Sequence, residues 1–204
     1  RDLTVTGVQT CALPISDLKV DGIERKVLMQ APKNGFFYVL DRKNGELLRA
    51  HKYTEVNWAT HVDMETGRPV ENPEKDYTNE KQWILPGALG GHNWQAMSFD
   101  PELGLVFIPE QKSTTIYKMT EEWQQTGKIK YKAKSWNTGI EIAKYLDLAL
   151  TTLDAPIGTG SLKAFNPISG KTEWEVKYPQ HWNGGTLSTK SGITFQGNGM
   201  GFLN

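Results

Sequence analysis

Short apolar and β-branched runs, broken every few positions by glycine or an Asx residue, set the rhythm of this chain. Lys26 to Gln30 forms one run, after a turn at Asp21-Gly22. Phe36-Phe37-Tyr38-Val39-Leu40 forms the next, and Asp41-Arg42-Lys43-Asn44-Gly45 closes it. Asn44-Gly45 supplies the positive φ angles that a hairpin wants, and Leu47 and Leu48 begin the return strand. Further on, Met97 and Phe99 alternate with Ser98 and Asp100, the period of a half-buried strand. Strands resume after Gly160 through Trp174 and Val176. Another hairpin is predicted over Thr186 to Gln196, turning at Lys190-Ser191-Gly192.

The turns repeat. Asp41 to Gly45, Asp63 to Gly67, Asp100 to Gly104 and Asn166 to Gly170 each set an Asx residue four positions ahead of a glycine. An Asx side chain bonds the backbone two residues on, and glycine accepts the left-handed conformation that ends the turn. The stretch from Ala164 to Trp174 superposes on Val39 to Arg49. This repeat predicts an all-β fold of stacked antiparallel sheets, most simply blades of a β-propeller. A β-sandwich is the rival, since its hairpins use the same turns.

Two segments interrupt the array. Tyr53 to Leu85 is polar, holds Pro69 and Pro73, and reads as a long excursion lying toward the periphery. Lys112 to Thr159 reads as an insertion with a short helix near Ile140 to Ala149.

Composition narrows the field. The chain has 204 residues, with 23 Lys plus Arg against 23 Asp plus Glu. A net charge near zero argues against nucleic-acid binding and against a polybasic membrane surface. No apolar run approaches the roughly 20 residues of a membrane-spanning helix, and no charged-then-apolar leader opens the chain. Val5-Thr6-Gly7-Val8-Gln9-Thr10-Cys11-Ala12-Leu13-Pro14-Ile15 back-translates to a short-read library adapter. Residues 1–16 are therefore expected to be non-native, and 17–204 to be part of a longer protein. Cys11, the single cysteine, then carries no redox information.

The candidate chemistry gathers at Pro86-Gly87-Ala88-Leu89-Gly90-Gly91-His92-Asn93-Trp94. Three glycines permit close backbone approach, and behind them stand an imidazole, a carboxamide and an indole. A glycine-rich loop at the mouth of a strand suits a ligand site; a tight turn whose tryptophan plugs the core uses the same residues. His51, His61 and His181 show no metal-ligand spacing, so no zinc site is expected. Asp63, Asp100 and Asp154 read as turn residues.

Three blocks together resemble the pyrroloquinoline-quinone (PQQ)-dependent alcohol dehydrogenases of bacteria, both quinoproteins and quinohaemoproteins. They are Gln30-Ala31-Pro32-Lys33-Asn34-Gly35-Phe36-Phe37-Tyr38-Val39-Leu40-Asp41-Arg42, then Gly91-His92-Asn93-Trp94, then His181-Trp182-Asn183-Gly184-Gly185-Thr186-Leu187. The resemblance implies part of an eight-bladed propeller, about three blades here. It implies PQQ bound beside a calcium or lanthanide ion, and oxidation of a small primary alcohol to an aldehyde by hydride transfer to the quinone.

By the same resemblance, Lys33 contacts the quinone carbonyl oxygens, where a cation stabilises developing negative charge. Asn93 and Trp94 hold the cofactor's rim with neutral N–H donors. His92 is read as orienting the loop, while Trp182 and Asn183 default to packing. The family's aspartate base, metal ligands, stacking tryptophan and adjacent-cysteine disulfide fall upstream of the lysine block and match nothing here. No catalytic residue and no metal ligand is therefore assigned, and this piece alone is expected to be inactive. The resemblance further implies a periplasmic location, a cytochrome c acceptor and, in the quinohaemoprotein branch, a following haem c domain. A non-catalytic propeller scaffold of the outer-membrane assembly type and a carbohydrate-binding β module are the alternative functions.

Overall fold

The computed structural model describes residues 14–135, 137–141 and 158–204. The first four strands are β1 (Ile15–Val20), β2 (Ile23–Gln30), β3 (Phe36–Asp41) and β4 (Leu47–Lys52). They form an antiparallel meander in the order β1-β2-β3-β4. Asp21 (φ 51°) and Gly22 (φ 80°) turn β1 into β2, a two-residue hairpin whose positive φ values follow the strand twist. The adapter-like residues 1–13 lie outside the described residues. Ile15 and Ser16 pair with Leu28 and Val27.

The predicted Asn44-Gly45 turn is present but built differently. Only Gly45 takes positive φ, at 79°, and Asp41 organises the turn instead. Its Oδ1 accepts from the Lys43 amide at 2.8 Å, and its carbonyl accepts from the Gly45 amide at 2.8 Å. Asp63 and Asn166 repeat the design, accepting from the Gly67 and Gly170 amides at 2.8 and 2.9 Å. The Asp100 carboxylate caps Glu102 and Leu103 in the same way. A side chain bonding its own turn needs no tertiary partner, so the device recurs wherever the local sequence does.

The excursion after β4 is more ordered than expected. It forms a hairpin of β5 (Ala59–Val62) and β6 (Pro69–Glu71), a 3-10 turn at Pro73–Lys75, and β7 (Gln82–Ile84). Val56, Ala59 and Val62 cluster with Phe36 on one face of the first sheet, and Trp58 packs edge-on against Phe36. Apolar side chains too sparse to show periodicity nonetheless cover that face. The excursion is therefore a lid on the first sheet and not merely peripheral.

β8 (Ser98–Asp100) and β9 (Leu105–Lys112) follow; β10 (Thr115–Tyr117) then pairs back onto β7. Helix α1 (Glu121–Thr126) is capped by Thr120 and ended by left-handed Gly127. Of the helix expected over 140–149, positions 142–149 lie outside the described residues, and Ile140 bridges Met119. β11 (Thr159–Phe165) and β12 (Thr172–Tyr178) complete a second sheet ordered β12-β11-β9-β8. β13 (Thr186–Ser188) and β14 (Thr194–Gln196) make the expected hairpin, hydrogen-bonded to the second sheet through Ser98.

The two four-stranded sheets meet through one core. Val27, Met29, Phe37 and Val39 interlock with Val106, Ile108 and Phe165, and the Phe37 and Phe165 rings lie 5.1 Å apart. Stacked antiparallel meanders are the arrangement the turn repeat predicted.

Candidate functional site

The Pro32–Gly35 loop joins β2 to β3 at one end of the first sheet. Gly35 has φ 93°, and a Cβ there would stand 2.4 Å from Val56 Cγ2, so the lid seals the loop from below. The Asn34 carbonyl accepts from the Trp58 indole at 3.1 Å. The Lys33 side chain is exposed, its Nζ lying 3.5 Å from the Ala88 carbonyl oxygen.

The Gly87–Gly91 loop closes over Lys33. The Gly91 amide donates to the Lys33 carbonyl at 3.1 Å, and the Gln111 amide to the Gly91 carbonyl at 2.7 Å. A Cβ at Gly91 would meet Thr54 Cγ2 at 2.6 Å and the Tyr53 hydroxyl at 2.8 Å. Glycine is required here by contact, because the loop runs directly over Tyr53 and Lys33. Asn93 Nδ2 donates to the Leu89 carbonyl at 3.1 Å. The head groups of Lys33 and Asn93 thus reach consecutive carbonyls of one loop, Ala88 and Leu89.

Trp94 does not plug the core. It is 59% exposed and meets Trp182 edge-on, with ring centroids 6.2 Å apart. Trp182, expected only to pack, therefore lines the same aromatic patch. Asn183 is a loop fastener: its amide donates to the Gln180 carbonyl and its carbonyl oxygen accepts from the Gly199 amide.

His92 is buried beneath the loop. Its Nδ1 lies 2.7 Å from the Ala31 carbonyl oxygen and its Nε2 2.7 Å from that of Gln95. Burial pushes its pKa below the ordinary histidine value, outweighing the two carbonyls, which favour the charged ring. The ring ties the lysine block to the loop carrying Asn93 and Trp94, the orienting role its position suggested. Next to it the Gln95 carboxamide is fully buried, with no hydrogen-bonding partner among the described residues.

Four further residues that no motif marked stand behind the site. Lys163 Nζ donates to Glu110 Oε1 at 2.8 Å and to the Tyr53 carbonyl at 2.8 Å. Ser161 donates its hydroxyl to the second Glu110 oxygen, and Glu110 is wholly buried. The Tyr53 hydroxyl donates to the Pro32 carbonyl at 2.7 Å. Burial, and then the Glu110 charge, push the Tyr53 pKa well above its ordinary value, so the phenol keeps its proton. One signal was available: Glu110 directly follows the apolar run Leu105 to Pro109, and Lys163 stands between Leu162 and Ala164; charges beside such runs persist in the interior only in pairs.

The donor set is one exposed ammonium, one carboxamide and an exposed indole at the rim of a single loop. These fit a flat polar ring bearing carbonyl and carboxylate oxygens. Among the described residues, no group of three or more His, Cys, Asp or Glu is placed to hold a metal ion.

Residues 60–201 match the PQQ family model for the glucose/ethanol/alcohol dehydrogenase β-propeller domain. The chain is 45% identical over 195 residues to quinohemoprotein alcohol dehydrogenase ADH IIB of Pseudomonas putida, covering 96% of this chain and 27% of that protein. It is 35% identical over 188 residues to the 1-butanol dehydrogenase (cytochrome c) of Thauera butanivorans, covering 91% and 26%. Among solved structures, quinohemoprotein alcohol dehydrogenase ADHIIG of Pseudomonas putida HK5 superposes with a TM-score of 0.78 at 34% identity, covering 94% of this chain and 28% of the other. The chain spans about a quarter of the length of these relatives.

Proposed function

Because the chain belongs to the PQQ-dependent glucose/ethanol/alcohol dehydrogenase β-propeller family, we propose that it supplies one sector of the cofactor site of an alcohol dehydrogenase. The intact enzyme oxidises a primary alcohol to the aldehyde. The quinone, when bound, accepts the hydride. Lys33 meets the quinone oxygens with its ammonium and stabilises negative charge there. Asn93 and Trp94 orient the ring through N–H donors at its rim, and Trp182 walls the same side. The residues described here supply neither the base nor the calcium or lanthanide ligands, which belong to other sectors. A haem c domain, a cytochrome c acceptor and a periplasmic location complete the reading; the names of the quinohemoprotein and cytochrome c relatives support the first two.

One observation carries this assignment. Lys33 and Asn93, about sixty residues apart in sequence, reach adjacent carbonyls of one loop beside an exposed tryptophan pair. Titrating the intact apoenzyme with PQQ while following tryptophan fluorescence tests it. Saturable quenching is expected, with affinity reduced by Asn93→Ala. Quenching absent, or untouched by substitution at both Lys33 and Asn93, would remove the assignment.

A further inference from the structure

Three successive backbone carbonyls of the lysine loop are each engaged by a different group. Ala31 O faces His92 Nδ1 at 2.7 Å, Pro32 O accepts from the Tyr53 hydroxyl at 2.7 Å, and Lys33 O accepts from the Gly91 amide at 3.1 Å. A turn lysine with only a solvated role needs none of this, since loop carbonyls at a surface bond water freely. Here the backbone is held at every position while the ammonium stays exposed. Control is applied to the base of the side chain, while the tip stays exposed with one long contact to the Ala88 carbonyl.

Tyr53 is the member of this set with support of its own. It is 2% exposed, and its carbonyl accepts from Lys163, which is in turn paired with buried Glu110. The phenol is thus held at both ends: its backbone by the ion pair of the second sheet, its hydroxyl by the lysine loop of the first. Buried pairs of this kind contribute little net stability, because desolvation offsets their attraction, but they fix geometry when fully hydrogen-bonded. The Glu110 carboxylate meets that condition, with Lys163 on one oxygen and Ser161 on the other.

We propose that Tyr53, braced by the Glu110–Lys163 pair, is a positioning residue that acts through the Pro32 carbonyl to set where Lys33 meets the cofactor. The proposal rests on the reading that Lys33 contacts the quinone. Tyr53→Phe in the intact holoenzyme deletes one hydroxyl and keeps the ring. It should speed amide exchange at Gly35 and Gly91 in the apoenzyme. It should lower kcat by about tenfold to a hundredfold, the scale of a small misplacement near the reacting atoms, with little change in KM for the alcohol. In a Lys33→Ala background it should produce no further loss of kcat, because its effect passes through the lysine. Lys163→Arg should lower kcat in the same direction. Equal losses in both backgrounds would reveal a general structural role and overturn the proposal, as would unchanged exchange at Gly35 and Gly91. Faster exchange in Tyr53→Phe combined with unaltered turnover and quinone affinity in Lys33→Ala would instead overturn the cofactor reading, and with it the functional part of this proposal.

Discussion

Gly90 lies against the stem of Lys33: a methyl group built on its α-carbon would stand 2.6 Å from both Cβ and Cγ of the lysine, and its φ is +85°. Gly90→Ala is therefore penalised twice. The left-handed backbone alone costs about 1–3 kcal/mol for a residue with a side chain, and relieving the clash displaces Lys33. The urea midpoint and the PQQ affinity of the intact enzyme should fall together. A native midpoint with undiminished affinity would show that the loop is free to move away from the lysine.

Lys33→Ala separates function from folding. The ammonium is exposed and makes one long contact to a carbonyl, so its removal should leave the thermal midpoint nearly unchanged. Turnover should drop by roughly 10²–10³, the usual effect of removing one group that stabilises charge developing on oxygen. Asn93→Ala should act on cofactor retention instead, by about 1–3 kcal/mol where a desolvated partner is left unpaired. Equal effects of both substitutions on turnover and retention would contradict this division of labour, which steady-state kinetics and cofactor dissociation rates measure directly.

Lys163→Met takes the nearer cation from the buried Glu110 carboxylate and leaves it only the more distant Lys112, 3.8 Å from its other oxygen. A loss of about 3–5 kcal/mol is expected, the range for breaking a buried pair from one side. Combining it with Glu110→Gln should recover much of that stability, because the carboxylate charge is then gone. Denaturant titration of the two single variants and the double variant checks the coupling, and strict additivity would mean that the pair does not act as a unit.

His92 gives the fold a pH dependence of definite sign. Its folded pKa lies below the ordinary value because burial disfavours the charged ring. The unfolded chain therefore takes up a proton that the native state resists. The stability contributed is complete above about pH 6.5, the unfolded value, and declines as the pH falls below it. Replacing the imidazole, as in His92→Gln, should flatten the stability curve on the acid side of that value. An unchanged slope would place the responsible group elsewhere.

Much of this molecule was legible as sequence because its determinants are local. Asp41, Asp63, Asp100 and Asn166 bond amides two or three residues ahead, so each turn announces itself without reference to the rest of the chain. A continuous apolar run marked β3, and alternation marked β8, for the same reason. Lys33, Asn93 and Trp94 came from motif blocks whose combination is specific, and the family those blocks resemble is the family the comparisons show.

What escaped depends on which faces meet. The segment from Val56 to Val62 reads as a polar excursion, yet it covers the Phe36 face of the first sheet, because a few apolar side chains suffice once a neighbouring surface is given. Trp182 gains a place beside Trp94 only when the β13 loop is brought against the glycine loop. Tyr53 and Lys163 are 110 residues apart, and no local rule links them. Local hydrogen bonding and the period of the strands were settled by the sequence alone. The bracing of Lys33 was decided by the stacking of one sheet on the next, which turns a tyrosine, a buried ion pair and two bare glycine backbones into a single support.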